Sequence, residues 1–165
     1  MENTGMNNIT MYMILISLLG AGLMAGTFYA FSTFVIKAIA RTPTAEAINT
    51  MQSINIVVIN RWFLIVFIGT ALSSLLLIIN QLIYRQTAYY WIISASLLYI
   101  SGTFLVTVVG NVPLNDELGN ISANDGRAAK LWQRYIKQWS RWNHLRTLCS
   151  IIATLLFAIG LMKTT

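Results

Sequence analysis

The sequence predicts an all-α protein, a transmembrane four-helix bundle whose last helix is long, basic and aromatic. Of its 165 residues, 56% are apolar and only 10% are charged, whereas a soluble globular domain carries about 25% charged residues. A membrane-spanning helix needs about 20 apolar residues. Four stretches of the chain contain no charged residue: 3–36, 62–84, 86–115 and 147–162. We therefore expect one integral membrane domain, residues 1–165, with four spans.

The first half of the chain holds spans 1 and 2. Span 1 is predicted at residues 8–36, and we expect it to be retained because it lacks the basic region and the short apolar run of a signal peptide. Thr42-Pro43 predicts an N-cap followed by proline at the first helical position. A cytoplasmic helical segment is therefore expected over residues 43–60, and it can continue unbroken into span 2 at residues 62–84.

The second half holds span 3, predicted at residues 87–112, and a long last helix. Pro113 disfavours helical geometry at Val112, so we expect span 3 to break there and a polar loop to follow. Asn124 or Asp125 is expected to cap the last helix. That helix divides into a cytoplasmic segment and span 4, residues 125–142 and 143–162.

Positive charge is concentrated on one side of the predicted bundle. Nine of the eleven basic residues belong to the loops after spans 1 and 3 and their flanks, and two lie on the other side. Because basic residues mark cytoplasmic loops, we expect a multi-pass protein of the cell membrane with these loops cytoplasmic and both termini non-cytoplasmic. Anionic lipid headgroups account for the basic stripe, so the bilayer is the expected partner and nucleic acid is not. The sequence leaves open whether the protein forms a homo-oligomer.

Composition excludes several kinds of catalytic centre. The chain has one histidine, one cysteine and five acidic residues, and no acidic residue lies inside an apolar span. A di-iron carboxylate site needs several inward-facing Glu and His residues, and an intrachain disulfide needs two cysteines. No phosphate-binding glycine loop, HExxH motif or serine–histidine–acid set is present. We expect no metal and no bound cofactor.

Polar side chains interrupt the apolar pattern at the predicted cytoplasmic ends of the helices. Arg146 is permanently charged and offers five donors, and a charged residue within a membrane helix usually faces the bundle interior. Neighbouring amides add donors, and tryptophans add flat apolar walls. The pattern therefore predicts a site for a planar aromatic or phenolic ligand whose oxygen can become anionic. The candidate residues are Gln52, Asn55, Thr107, Asn111, Asn115, Trp139, Trp142, Asn143 and Arg146.

Structural interpretations of the same residues stay open. Arg146 can instead pair with Asp116 or Glu117. It can also bond carbonyl groups freed by the expected break at Pro113. Tryptophans at a membrane boundary are commonly interfacial anchors. His144 lies on the basic side of the last helix at 100° per residue, so we expect it to face lipid headgroups rather than a ligand.

Three motifs follow one another along the chain. They are Met51-Gln52-Ser53-Ile54-Asn55, Asn111-Val112-Pro113-Leu114-Asn115 and Trp139-Ser140-Arg141-Trp142-Asn143-His144-Leu145-Arg146. With these motifs in this order, the chain resembles the DUF1772 family, the anthrone-oxygenase-like group of small four-helix membrane proteins, over essentially its whole length. Some fungal members of that family oxidise an anthrone to an anthraquinone with molecular oxygen. Most bacterial members have no assigned role.

The resemblance implies roles for the candidate residues. O2 would be the co-substrate, and pre-organised donors would stabilise the anion of a phenolic substrate, although no interior carboxylate is available as a base. The catalytic candidates are then Arg146, Asn111, Asn115 and Asn143. The substrate-binding candidates are Gln52, Asn55, Thr107, Trp139 and Trp142.

Three functions compete at this point. The first is a membrane protein that binds or oxidises a small aromatic compound with O2 and without a metal. The second is a non-enzymatic packing or partner protein whose polar clusters only lock the bundle. The third and weaker one is a transporter, because four spans usually need an oligomer to enclose a path.

Overall fold

The computed structural model describes residues 8–163, and they form five helices. Four of these helices are long and apolar enough to cross a membrane. The predicted all-α bundle with four spans is therefore confirmed. Residues 1–7 and 164–165, and with them the predicted placement of the two termini, lie outside the described residues. The helices are α1 (Asn8–Ile39), α2 (Thr44–Val57), α3 (Arg61–Tyr84), α4 (Tyr89–Gly119) and α5 (Ala128–Met162).

The four long helices form a ring in the order α1, α3, α4 and α5, and the shorter α2 packs against α4 and α5 at one end. Two apolar cores result. One core occupies the middle of the bundle and includes Ile14 and Phe157. The other core joins α2 to the first half of α5 and includes Met51 and Trp132. Residues of both cores line a space that is enclosed by protein on most sides.

The start of α2 differs slightly from the prediction. The Thr42 hydroxyl donates to the Ile39 carbonyl at 2.8 Å, so it completes the end of α1 and does not cap α2. Pro43 occupies the N-cap position, and α2 begins at Thr44. Proline suits this position because it has no backbone N–H that would need a partner.

α2 does not continue into α3, so the predicted unbroken helix is wrong. α2 ends at Val57, and Asn60 begins the next helix as its N-cap. The Asn60 side-chain oxygen accepts the backbone N–H groups of Trp62 and Phe63 at 3.0 and 3.1 Å. This capping satisfies donors that the first turn of a helix leaves free, and it separates the two helices.

Pro113 does not break α4, so the predicted break of the helix at this proline is wrong. Wide π-helical turns at Ile100–Leu105 and Thr107–Asn111 precede the proline, and α-helical geometry resumes at Val112. A proline ring clashes with the carbonyl four residues earlier in a regular α-helix, and a wider turn relieves that clash. Asn115 is therefore carried on a continuous helix rather than on a loop.

α5 is a single helix of 35 residues, which confirms the predicted long last helix. It begins at Ala128, and neither Asn124 nor Asp125 caps it as predicted. Instead, the Asp125 carboxylate accepts the backbone N–H of Arg127 at 2.8 Å and pairs with its guanidinium group. The hydrogen bond from Arg127 lowers the pKa of Asp125 to about 2. The side-chain bond thus shapes the turn just before α5.

Candidate functional site

An internal cavity of about 230 Å³ lies between the two apolar cores. Ile59 and Val112 line it and are 69% and 40% exposed, so the cavity reaches the protein surface beside the connection from α2 to α3. Aromatic and aliphatic side chains form most of its wall, among them Phe28, Phe31, Met51, Phe63 and Phe67. Five of the nine candidate residues also line it: Asn55, Thr107, Asn115, Trp139 and Arg146.

Arg146 is the charged group of the cavity, and it is 7% exposed. Its Nε and Nη2 atoms donate to Asn143 Oδ1 at 3.0 and 2.8 Å, and its Nη1 atom donates to Thr107 Oγ1 at 3.3 Å. The guanidinium carbon lies 3.9 Å from the ring centre of Phe28 and 5.2 Å from that of Trp139, within cation–π range. A guanidinium group has five N–H bonds, so these contacts leave two of them for a ligand.

No carboxylate within residues 8–163 forms an ion pair with Arg146. Glu117 pairs with a different arginine, and the side-chain hydrogen bonds of Arg146 go to Asn143 and Thr107 rather than to carbonyl groups near Pro113. The interpretations of Arg146 as a partner of Asp116 or Glu117, or of carbonyls at Pro113, are therefore wrong. The ion pairs of the described residues are Arg127–Asp125 and Arg134–Glu117.

Asn143 holds Arg146 in place and does not line the cavity. Its amide nitrogen donates to the Phe28 carbonyl at 2.9 Å and to the Ser32 hydroxyl at 2.7 Å. Its oxygen accepts the two bonds from Arg146. The Asn143 side chain is fully buried, and its donors and its acceptor all bond to protein groups. The geometry therefore gives Asn143 a positioning role rather than the predicted contact with substrate.

A second polar group lies two helical turns beyond Thr107 along α4, at Asn115. Its side-chain oxygen accepts the Tyr135 hydroxyl and the Trp139 indole N–H, both at 2.9 Å. Asn55, on α2, also lines the cavity, and its buried side chain lies next to the Tyr135 hydroxyl group, although its amide nitrogen makes no regular hydrogen bond to the protein. A ligand oxygen at this end of the cavity would give that amide nitrogen an acceptor.

Gln52 and Asn111 lie outside the cavity, so the structure does not bring them into the predicted site. The Gln52 amide donates to the carbonyl groups of Leu118 and Ile121 at 2.8 and 2.9 Å. The Asn111 amide donates to the Trp139 carbonyl at 3.3 Å. Buried polar groups form hydrogen bonds with a partner within reach. For both of these amides, that partner is a backbone carbonyl group of a neighbouring segment.

Trp142 does not turn inward, so its predicted place in the site is wrong. Its side chain is 39% exposed, and its ring packs so tightly on α4 that a Cβ atom at Gly110 would lie 2.7 Å from it. A regular helix drifts by about 20° per heptad relative to a 3.5-residue repeat, so the inward face of α5 shifts along its length. It passes from Trp132, Tyr135 and Trp139 to Asn143, Arg146 and Ser150, all of them buried.

The structure adds three residues to the predicted set: Phe28 and Ser32 on α1 and Tyr135 on α5. Ser32 is a polar residue in an apolar span, which is the kind of signal that identified Asn55. Phe28 carries no such signal, because it is one apolar residue among many. His144 is exposed and outside the cavity.

The comparison with protein families agrees with these observations. The profile described as anthrone oxygenase matches residues 57–156, more than half of the chain. The chain belongs to the anthrone oxygenase family. The match includes α3, α4 and most of α5, so it covers Asn115 and Arg146 but not Asn55 or Phe28. No curated protein and no solved structure matches the chain.

This anthrone oxygenase family member is a multi-pass membrane protein with apolar helix surfaces suited to lipid contact. Among its described residues, no group of three or more histidine, cysteine or acidic side chains is arranged to hold a metal. The expectation that no metal or bound cofactor takes part stays a prediction, as does the orientation of the loops in the membrane.

Proposed function

We propose that this protein binds a small phenolic aromatic compound in its cavity and supports the oxidation of that compound by O2, with Arg146 stabilising the anionic form. One observation carries the proposal: a buried arginine faces an aromatic-lined cavity and has no carboxylate partner within the described residues. A buried charge is costly unless it is paired. A phenolate or enolate oxygen would provide that pairing.

The proposed reaction converts the CH2 group of an anthrone-type compound into a carbonyl group. Loss of one proton gives an electron-rich anion that passes electrons to O2. One oxygen atom enters the quinone and the other leaves as water, so atoms and electrons balance. Arg146 holds its N–H groups ready for the developing oxygen anion because Asn143 and Thr107 already fix its position, and pre-organised donors need no rearrangement as the charge forms.

The cavity lining contains no aspartate, glutamate or histidine. Its contribution to the proposed reaction is therefore stabilisation of the anion rather than removal of the proton by a side chain. A positive charge within about 4–6 Å favours the ionised form of an acid. Arg146 would thus lower the pKa of a bound phenol or anthrone and raise the fraction that can react with O2.

The proposal is tested with two probes on the protein purified in detergent. Binding of 1,8-dihydroxyanthraquinone is followed by quenching of tryptophan fluorescence, and turnover of 1,8-dihydroxyanthrone by oxygen uptake. Arg146→Met keeps the size of the side chain but removes its charge. We expect it to weaken binding by about 10- to 100-fold, because a hydrogen bond to a charged group is worth about 1.5–3 kcal/mol.

His144→Ala is the matched control, because His144 lies two positions away on the same helix but outside the cavity. We expect it to bind and turn over like the wild type. Arg146→Lys keeps the charge and gives up the guanidinium fork, so it should fall between the wild type and Arg146→Met. A folded Arg146→Met protein with wild-type binding and turnover would disprove the proposal.

A non-enzymatic packing or partner protein is the second candidate. The amides of Gln52, Asn111 and Asn143 favour it, because each donates a hydrogen bond to a carbonyl group of another helix. Under this alternative, the wild type binds neither probe, and substitution of Arg146 changes only the stability of the bundle.

A further inference from the structure

Two donors on α5 determine which way the Asn115 side chain points. The Trp139 indole nitrogen can only donate, so the Asn115 atom that lies 2.9 Å from it is the amide oxygen. The Tyr135 hydroxyl donates to the same oxygen at 2.9 Å. Turning the carboxamide by half a rotation would set an N–H donor of Asn115 against the indole N–H of Trp139, whereas the Tyr135 hydroxyl is able to accept from the turned amide. Trp139 thus fixes the orientation, and Tyr135 adds a second hydrogen bond to the oxygen.

The amide nitrogen is thus the end of Asn115 that remains for a ligand. Asn115 lines the cavity, and both of its hydrogen bonds are made by its oxygen. The cavity thus has polar groups at two levels: Asn115 forms one level, and Arg146 with Thr107 forms the other. Thr107 and Asn115 are eight residues apart on α4, which corresponds to about two helical turns. The two levels therefore contact different parts of one ligand.

We propose that Tyr135 and Trp139 are positioning residues, which hold the Asn115 amide with its N–H groups toward the ligand and so create a second point of oxygen recognition. This inference rests on the proposed function, because it assumes that an oxygenated aromatic compound occupies the cavity. It assigns Tyr135 a part in ligand selectivity, although Tyr135 is 1% exposed and does not line the cavity.

Tyr135→Phe is the cleanest test, because it removes one hydroxyl group and leaves the cavity wall unchanged. Binding of 1,8-dihydroxyanthraquinone is compared with binding of anthracene, which has the same three rings and no oxygen. We expect Tyr135→Phe to weaken binding of the oxygenated probe by about 3- to 10-fold, the contribution of one hydrogen bond, and to leave anthracene binding unchanged. Loss of a structural contact alone would weaken both probes equally.

Tyr99→Phe is the matched control. Tyr99 is also fully buried, and its hydroxyl donates to the Phe67 carbonyl at 3.2 Å rather than to a cavity amide. It should therefore lose stability much as Tyr135→Phe does, while the ratio of the two probe affinities stays at the wild-type value. A shift of that ratio in Tyr99→Phe as large as in Tyr135→Phe would overturn the inference.

Combined substitutions separate this inference from the proposed function. In an Asn115→Ala background, Tyr135→Phe should have no further effect on the oxygenated probe. In an Arg146→Met background, the effect of Tyr135→Phe should remain as large as in the wild type, since Tyr135 acts through Asn115 and not through Arg146. If the oxygenated probe binds through Arg146 but Tyr135→Phe still acts without the Asn115 amide, the positioning role is wrong and the proposed function stands. If the wild type binds no oxygenated probe, both are wrong.

Discussion

The contact between Asn143 and Arg146 leads to a stability prediction that changes sign with the background. Asn143→Leu keeps the side-chain size but removes the acceptor of two Arg146 N–H groups. That interaction is worth about 1.5–3 kcal/mol as a hydrogen bond to a charged group, and the lost bonds to the Phe28 carbonyl and the Ser32 hydroxyl add about 1 kcal/mol each. We therefore expect Asn143→Leu to lower the free energy of unfolding by about 4 kcal/mol.

Arg146→Met should then have opposite effects in two proteins. In the wild type it leaves the buried Asn143 oxygen without a donor, which costs about 1–3 kcal/mol. In the Asn143→Leu protein it removes a buried guanidinium group that has lost its main partner, so we expect it to restore about 1–2 kcal/mol. The two substitutions are therefore coupled by about 2–5 kcal/mol.

The four proteins of this cycle are compared by unfolding in mixed micelles with an increasing fraction of denaturing detergent. Circular dichroism follows loss of helix, and tryptophan fluorescence follows the aromatic half of α5. Equal destabilisation by Arg146→Met in both backgrounds would refute the reasoning, because it would mean that Asn143 does not hold the guanidinium group.

Two further predictions concern residues outside the cavity. Gln52→Met should lower the free energy of unfolding by about 1–2 kcal/mol, because two hydrogen bonds to carbonyl groups are lost. The affinity for 1,8-dihydroxyanthraquinone should stay at the wild-type value. A weaker affinity would contradict the position of Gln52 outside the cavity. Gly102→Ala should cost about 1–3 kcal/mol by overpacking, since its new Cβ atom would lie 2.6 Å from the Cβ atom of Cys149. Adding Cys149→Gly should recover part of that loss in the same unfolding assay, and no recovery would exclude this contact as the cause.

Much of the fold follows from long stretches of the sequence. Charge-free length predicts the four spans because bilayer thickness sets the number of apolar residues needed. The inward position of Arg146 follows in the same way, since a charged side chain within a span is costly unless it faces the bundle interior. Both arguments depend on averages over a whole helix or on large energies, so small local deviations do not upset them.

The errors came from local geometry. Pro113 is accommodated because π-helical turns precede it, and no residue pattern identified those turns. Trp142 faces outward because small angular errors add up along a helix of 35 residues. Gln52 and Asn111 were expected in the site but bond to backbone carbonyl groups instead, because helical periodicity shows only which face an amide occupies. It does not show whether a carbonyl group of a neighbouring helix or a cavity lies within reach.

The opening of the cavity beside Ile59 and Val112 bears on whether binding depends on the ligand concentration in the lipid or on that in water. Both flanking residues are apolar and exposed, and Val112 belongs to a helix suited to span the membrane. A compound that passes between them from lipid moves from one apolar phase to another, so it gains little of the roughly 25 cal/mol per Å² that drives apolar ligands out of water. Binding by this route depends on how much compound is dissolved per lipid molecule, and affinities measured in detergent will shift with the amount of micelle present.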